Sequence, residues 1–98
     1  MPTQPLSDAE ISDALNSLPG WSREADTLVR VFKFDSYLAG IAFASAVGVL
    51  SEGMDHHPDL VINWRKVTVR FTTHDAGNKI SAKDVKAAQA VDSLGYPH

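Results

Sequence analysis

The sequence predicts an α+β fold: a two-layer sandwich with a four-stranded antiparallel sheet and three helices on one face, in the order αββαββα. Three observations predict it. Two capping-box spacings and one long uncharged apolar stretch mark three helices, starting near Ser7, Ser36 and Ser81. Between them lie two pairs of short segments rich in Val, Phe, Ile and Thr. Strands that follow one another without a helix pair antiparallel, and the helices segregate to one face of the sheet they form. At 98 residues the chain suffices for one small core, so residues 1–98 are read as a single domain.

The first helix begins at Ser7, three residues before Glu10, with Leu6 and Ile11 placed as a hydrophobic staple. Ile11, Ala14, Leu15 and Leu18 form its apolar stripe, and Pro19-Gly20 ends it. Residues 21–24 and 27–34 then read as a hairpin about Ala25-Asp26. In the second of these strands Leu28, Phe32 and Phe34 share one parity and Val29 and Val31 the other, so apolar groups stand on both faces.

Asp35 or Ser36 caps the central helix, which runs to about Glu52 with Gly53 as its left-handed stop. It is apolar nearly all round. Leu38, Ile41, Ala42, Phe43, Val47, Val49 and Leu50 cannot all face one small sheet, so a second copy of the chain is expected to cover the remainder. Residues 60–64 and 66–73 form the second strand pair. Val67, Val69 and Phe71 point one way, opposite Lys66, Thr68, Arg70, Thr72 and His74. A turn over residues 75–78 leads to Ser81 and Asp84, which open a last helix with apolar positions Val85, Ala88, Val91 and Leu94.

Nine basic residues are scattered against twelve acidic ones for a net charge of −3, which disfavours direct nucleic-acid binding. The absence of cysteine removes disulfides, thiolate nucleophiles and Cys-ligated metals. The amino terminus lacks the pattern of a signal peptide, and the uncharged stretch 36–50 falls short of the ~18–20 residues that span a bilayer. A cytoplasmic protein without a membrane segment is expected.

Histidines occur at 56, 57, 74 and 98, the last at a terminus expected to fray. His56 and His57 follow the carboxyl end of the central helix, and Pro58 stiffens their loop. The partial negative charge at a helix carboxyl end suits imidazoles to acid–base duty near neutrality. Each residue also has an ordinary explanation: solvated loop histidines, Asp84 as a helix cap, Trp21 and Trp64 as core or interface aromatics. Neither HExxH nor another metal-ligand spacing occurs, and adjacent histidines in an extended loop diverge, so no metal site is expected. The glycine-rich and serine-elbow motifs of NTPases, dinucleotide enzymes and serine hydrolases are missing as well.

Taken together, Glu52-x3-His56-His57-Pro58, five residues to Trp64, nine to His74 and nine to Asp84 resemble the signature of the pterin-4a-carbinolamine dehydratases. The resemblance implies dehydration of 4a-hydroxytetrahydrobiopterin, formed by an aromatic amino acid hydroxylase, to quinonoid dihydropterin and water, in tetrahydrobiopterin recycling. It implies no cofactor. His56, His57 and His74 would be the catalytic histidines, with His56 and His74 exchanging protons and His57 positioning the substrate. Asp55-His56-His57 and Thr72-Thr73-His74-Asp75 would contact the pterin, and Glu52 and Asp84 would orient imidazoles or bind the ring's amidine-like edge. Thr72 and Asp75 stand where relatives commonly carry Ser and Glu, which preserves the chemistry. The partners implied are the pterin, a homodimer or homotetramer, and the hydroxylase of the pathway. Two other readings compete. One is an oligomeric scaffold for a transcription factor's dimerisation helices; the other, a metal-dependent hydrolase, requires stoichiometric metal.

Overall fold

A computed structural model describes residues 3–96; His98 and the first two residues of the amino terminus lie outside the described residues. Helix α1 spans Asp8–Leu15 and begins with the expected reciprocal cap. The Glu10 amide donates to Ser7 Oγ at 3.2 Å and the Ser7 amide donates to Glu10 Oε1 at 2.9 Å. That backbone hydrogen bond holds the Glu10 carboxyl below the usual carboxylate range. Substituting Ser7→Ala should lower stability by about 1 kcal/mol in urea unfolding, and no change would remove the cap from the account.

The first helix is shorter than its apolar stripe predicts. From Asn16 to Leu18 each amide donates three residues back, so i→i+3 turns tighten the chain after Leu15. Leu18 therefore enters the core from a turn instead of from the helix face. At Gly20 the backbone has φ +87°, and a Cβ there would lie 2.8 Å from Arg30 Nε. Glycine answers both constraints.

Strands β1 (Ser22–Glu24), β2 (Thr27–Lys33), β3 (Asp59–Ile62) and β4 (Lys66–Phe71) form one antiparallel sheet in the order β1-β2-β4-β3. Leu28 opposes Phe71 and Phe32 opposes Val67, which brings the alternating apolar residues of β2 and β4 onto one face. Phe32, Val67, Val69 and Phe71 are essentially inaccessible. On the opposite parity of β2, Val29 is buried outside the main core cluster and Val31 is exposed.

Helix α2 covers Tyr37–Met54 and α3 covers Ala82–Asp92; both pack on β4. Ser36, not Asp35, caps α2, its Oγ accepting from the Ala39 amide. Phe43 anchors α2 against Phe32 at 4.5 Å between ring centroids and against Phe34 at 5.2 Å. On α3 the fully buried positions are Asp84, Ala87, Ala88 and Val91, while Val85 and Leu94 are only partly covered. Ala87 and Ala88 let that helix approach closely, and Asp92 binds the Trp21 indole N–H at 3.0 Å and Arg30 at 3.0 Å.

Trp21 is buried, whereas Trp64 is 72% exposed and belongs to no core cluster. Leu38 and Val49 of α2 are 75% and 76% exposed, so the chain leaves one side of this apolar helix uncovered. At 18 residues α2 is as long and apolar as a short membrane span, but its other side is packed against β3 and β4.

Candidate active site

Three chain segments meet beside the end of β4: the carboxyl end of α2, the amino end of α3 and the 3-10 turn His74–Ala76. The first is set by how α2 stops. The Asp55 amide donates to Glu52 O and the His56 amide to Ser51 O, both at 3.1 Å, the paired bonds of a Schellman ending. Asp55 takes the left-handed conformation, φ 52° and ψ 41°. The predicted stop at Gly53 is thus two residues early; Gly53 remains helical. This ending throws His56 and His57 off the helix axis immediately after the turn.

The two rings then part. His56 Nε2 lies 2.6 Å from Asp84 Oδ1, and its ring stacks on Phe71 at 10° between planes. His57 Nε2 lies 2.7 Å from Glu52 Oε1. Their side chains are 13% and 56% exposed, so His56 is the sequestered imidazole and His57 the accessible one.

Asp84 is wholly buried and fully used. Its Oδ2 accepts from Thr73 Oγ1 at 2.8 Å and from the Ser81 amide at 2.9 Å. The Thr73 proton is spent on the carboxylate, so in the 2.6 Å contact between Thr73 Oγ1 and Ser81 Oγ the serine donates. Ser81 Oγ in turn accepts from the Lys83 amide. One residue therefore caps α3 and holds a histidine.

On the third segment, His74 Nδ1 lies 2.7 Å from Asn78 Oδ1. An amide oxygen only accepts, so Nδ1 carries a hydrogen, and the neutral ring held this way has its lone pair on Nε2. Asn78 reaches back because Gly77 and Asn78 both adopt positive φ. Thr72 Oγ1 donates to Asp26 O at 2.8 Å, tying this segment to the first hairpin. Asp75 accepts from Thr3 Oγ1 at 3.0 Å and lies 3.6 Å from Lys83 Nζ. The Thr3 hydroxyl foremost, with the Lys83 charge, holds the Asp75 carboxyl below the usual carboxylate range. A depressed value stabilises the fold above the normal carboxylate range and is lost as pH falls through it. Thr3→Ala should move the Asp75 midpoint upward in an NMR titration; an unmoved midpoint would discount that hydrogen bond.

A cavity of about 300 Å³ is lined by Asp55, His56, His57, Thr72, Thr73, His74, Asp75 and Lys83. All three internal histidines border it. Glu52 and Asp84 stand behind it as partners of His57 and His56. The Thr73 hydroxyl points into the buried network around Asp84. Among the described residues no set of three or more His, Asp or Glu side chains is placed to hold a metal ion. Sequence reasoning missed Lys83, Asn78 and Ser81 as site components. The only local signal was their position within four residues of His74 or Asp84.

The fold and site define a small α+β domain with a histidine-lined cavity. The chain belongs to the pterin 4 alpha carbinolamine dehydratase family, whose model matches residues 4–94. A protein of Natronomonas pharaonis named "Putative pterin-4-alpha-carbinolamine dehydratase" is 49% identical over 91% of this chain and 94% of its own length. A Streptomyces coelicolor protein of the same name is 38% identical over 100% of this chain and 97% of its own. Among solved structures, a transcriptional coactivator/pterin dehydratase from Brucella melitensis superposes with a TM-score of 0.86 at 27% identity, covering 93% of this chain and 98% of that one. A pterin dehydratase-like protein identified as a RuBisCO assembly factor in the alpha-carboxysome shares the fold at a TM-score of 0.62 and 23% identity, over 80% and 89% of the two chains.

Proposed function

We propose that the protein dehydrates 4a-hydroxytetrahydropterins, 4a-hydroxytetrahydrobiopterin among them, by histidine general acid–base catalysis in the recycling of tetrahydrobiopterin. The observation that carries this reading is the single cavity bordered by His56, His57 and His74, with a fixed acceptor behind each ring.

Dehydration breaks the C4a–O bond, removes the N5 proton and forms the N5=C4a double bond. Hydroxide leaves poorly, its conjugate acid having a pKa of about 15.7, so the departing oxygen must take up a proton. With Asn78 Oδ1 at Nδ1, the neutral His74 ring turns the lone pair of Nε2 to the substrate and acts as the base for N5–H. His56 has Nε2 directed at Asp84, so Nδ1 is the nitrogen that serves the cavity. With both nitrogens protonated, His56 hands its Nδ1 proton to the leaving oxygen, and water departs. His74 gains one proton and His56 loses one, so the pair resets by exchange with solvent. His57, more exposed and braced by Glu52, positions the ring with Asp55, Thr72, Thr73 and Asp75 around it.

The test is the decay of the 4a-hydroxypterin absorbance. Addition of the protein should accelerate it well above the buffer rate, and equal rates would end the reading. The exposed Leu38 and Val49 of α2 support a homodimer or homotetramer, to be read by light scattering; a stable monomer on dilution would count against it. The same exposed face favours the second reading, an oligomeric scaffold that acts without turnover, as does the coactivator named for the Brucella structure. We place the activity in the cytoplasm beside an aromatic amino acid hydroxylase.

A further inference from the structure

A second cavity, of about 420 Å³, opens beside the first and is lined by Met54, Asp55, His56, Lys83, Lys86 and Ala87. Asp55, His56 and Lys83 border both, so the two cavities adjoin along these three residues. The far part differs chemically from the near part. Met54 and Ala87 supply apolar surface, and two ammonium groups stand one helical turn apart on α3.

Those two lysines are not equivalent. Lys83 is drawn toward Asp75, at 3.6 Å. Lys86 is exposed and forms no ion pair among the described residues. Glu10 and Asp13 of α1 share a separate surface hollow with Lys86, yet neither comes within 4.0 Å of it, and the Glu10 carboxylate is held by the Ser7 amide. In a chain of net charge −3, an uncompensated cation at the end of a cleft is a local reversal of sign.

We propose that this second cavity is a subsite for the substituent of the pterin ring, and that Lys86 selects a substituent carrying a phosphate group. The inference rests on the dehydratase reading above. A flat bicycle held among three imidazoles must send its side chain out of the first cavity, and the second adjoins it along Asp55, His56 and Lys83. The carbon chain of the substituent lies on Met54 and Ala87, and its anionic end meets Lys86, with Lys83 as the nearer charge. A phosphate and an ammonium form a charge-assisted hydrogen bond, roughly twice as strong as a neutral one. Lys86 is thus a specificity residue that touches the substituent and takes no part in the proton transfers.

Two probes test this: a 4a-hydroxytetrahydropterin with a dihydroxypropyl side chain, and the phosphate monoester of that side chain. The wild-type protein should dehydrate the ester with kcat/KM about tenfold above that of the neutral pterin at low salt, a preference that shrinks as salt is added. Lys86→Gln should erase the preference while leaving the neutral pterin within about twofold of wild type, and Lys86→Glu should place the ester below the neutral compound. Equal kcat/KM for the two pterins in the wild type, or a preference that survives in Lys86→Gln, overturns the proposal. Turnover of neither pterin above the buffer rate overturns the dehydratase reading itself, and the subsite with it.

Discussion

Replacing His74 with alanine should lower turnover of a 4a-hydroxytetrahydropterin by roughly 10²–10⁴-fold, the range that one positioned proton transfer contributes. The fold should survive. His74 is exposed, and among the described residues its one side-chain hydrogen bond, to Asn78, lies at the surface. Replacement of His56 should cost turnover similarly but also stability, because it strands an oxygen of the buried Asp84. Asn78 separates a base from a merely nearby ring. Asn78→Asp keeps an acceptor at Nδ1 and should retain most activity, whereas Asn78→Ala frees the other tautomer and should lower kcat more than it alters KM. An alanine at 74 with unchanged kcat would remove His74 from the mechanism.

The largest loss of stability is expected at Asp84. Truncation to alanine leaves the His56 Nε2–H, the Thr73 hydroxyl and the Ser81 amide without their acceptor. Each buried donor left without an acceptor costs about 1–3 kcal/mol, so the three together reach the cost of emptying an aromatic site in the core, about 3–5 kcal/mol. Denaturant unfolding should show a loss of that order, comparable with Phe43→Ala, which removes the ring packed on Phe32 and Phe34. Kinetics distinguish the two. Phe43→Ala should leave the kcat of the folded fraction nearly intact, while Asp84→Ala should lower it and make a further His56→Ala change almost silent, since the two side chains act as a unit. Additive losses from His56 and Asp84 would contradict the coupling.

Much of this site was legible from residue spacing, because the signals were local. Ser7 with Glu10 and Ser81 with Asp84 reach each other within one helical turn, and the structure shows both reciprocal caps. Alternation along Lys66–Phe71 assigned Val67, Val69 and Phe71 to the core, since a strand's period is independent of its neighbours. The stop of α2 was less legible. Gly53 has the intrinsic freedom to end a helix, yet the break falls at Asp55, where the pairing of the Asp55 and His56 amides satisfies two carbonyls.

The amino-acid sequence by itself determined the order of elements, the inward faces of the strands and the family to which the histidine spacing belongs. It also placed Trp64 among core or interface aromatics, and only packing showed that among the described residues the core does not receive it. The double duty of Asp84 was likewise decided by tertiary structure, because His56 lies 28 residues away and is brought to it by the docking of α2 and α3. So was the place of Lys83 and Lys86 along the cleft, whereas the nitrogen that His74 presents is set locally, by Asn78 four residues on. Periodicity and capping record interactions that close within a few residues. The partner of a buried carboxylate depends on which distant segment occupies the space beside it.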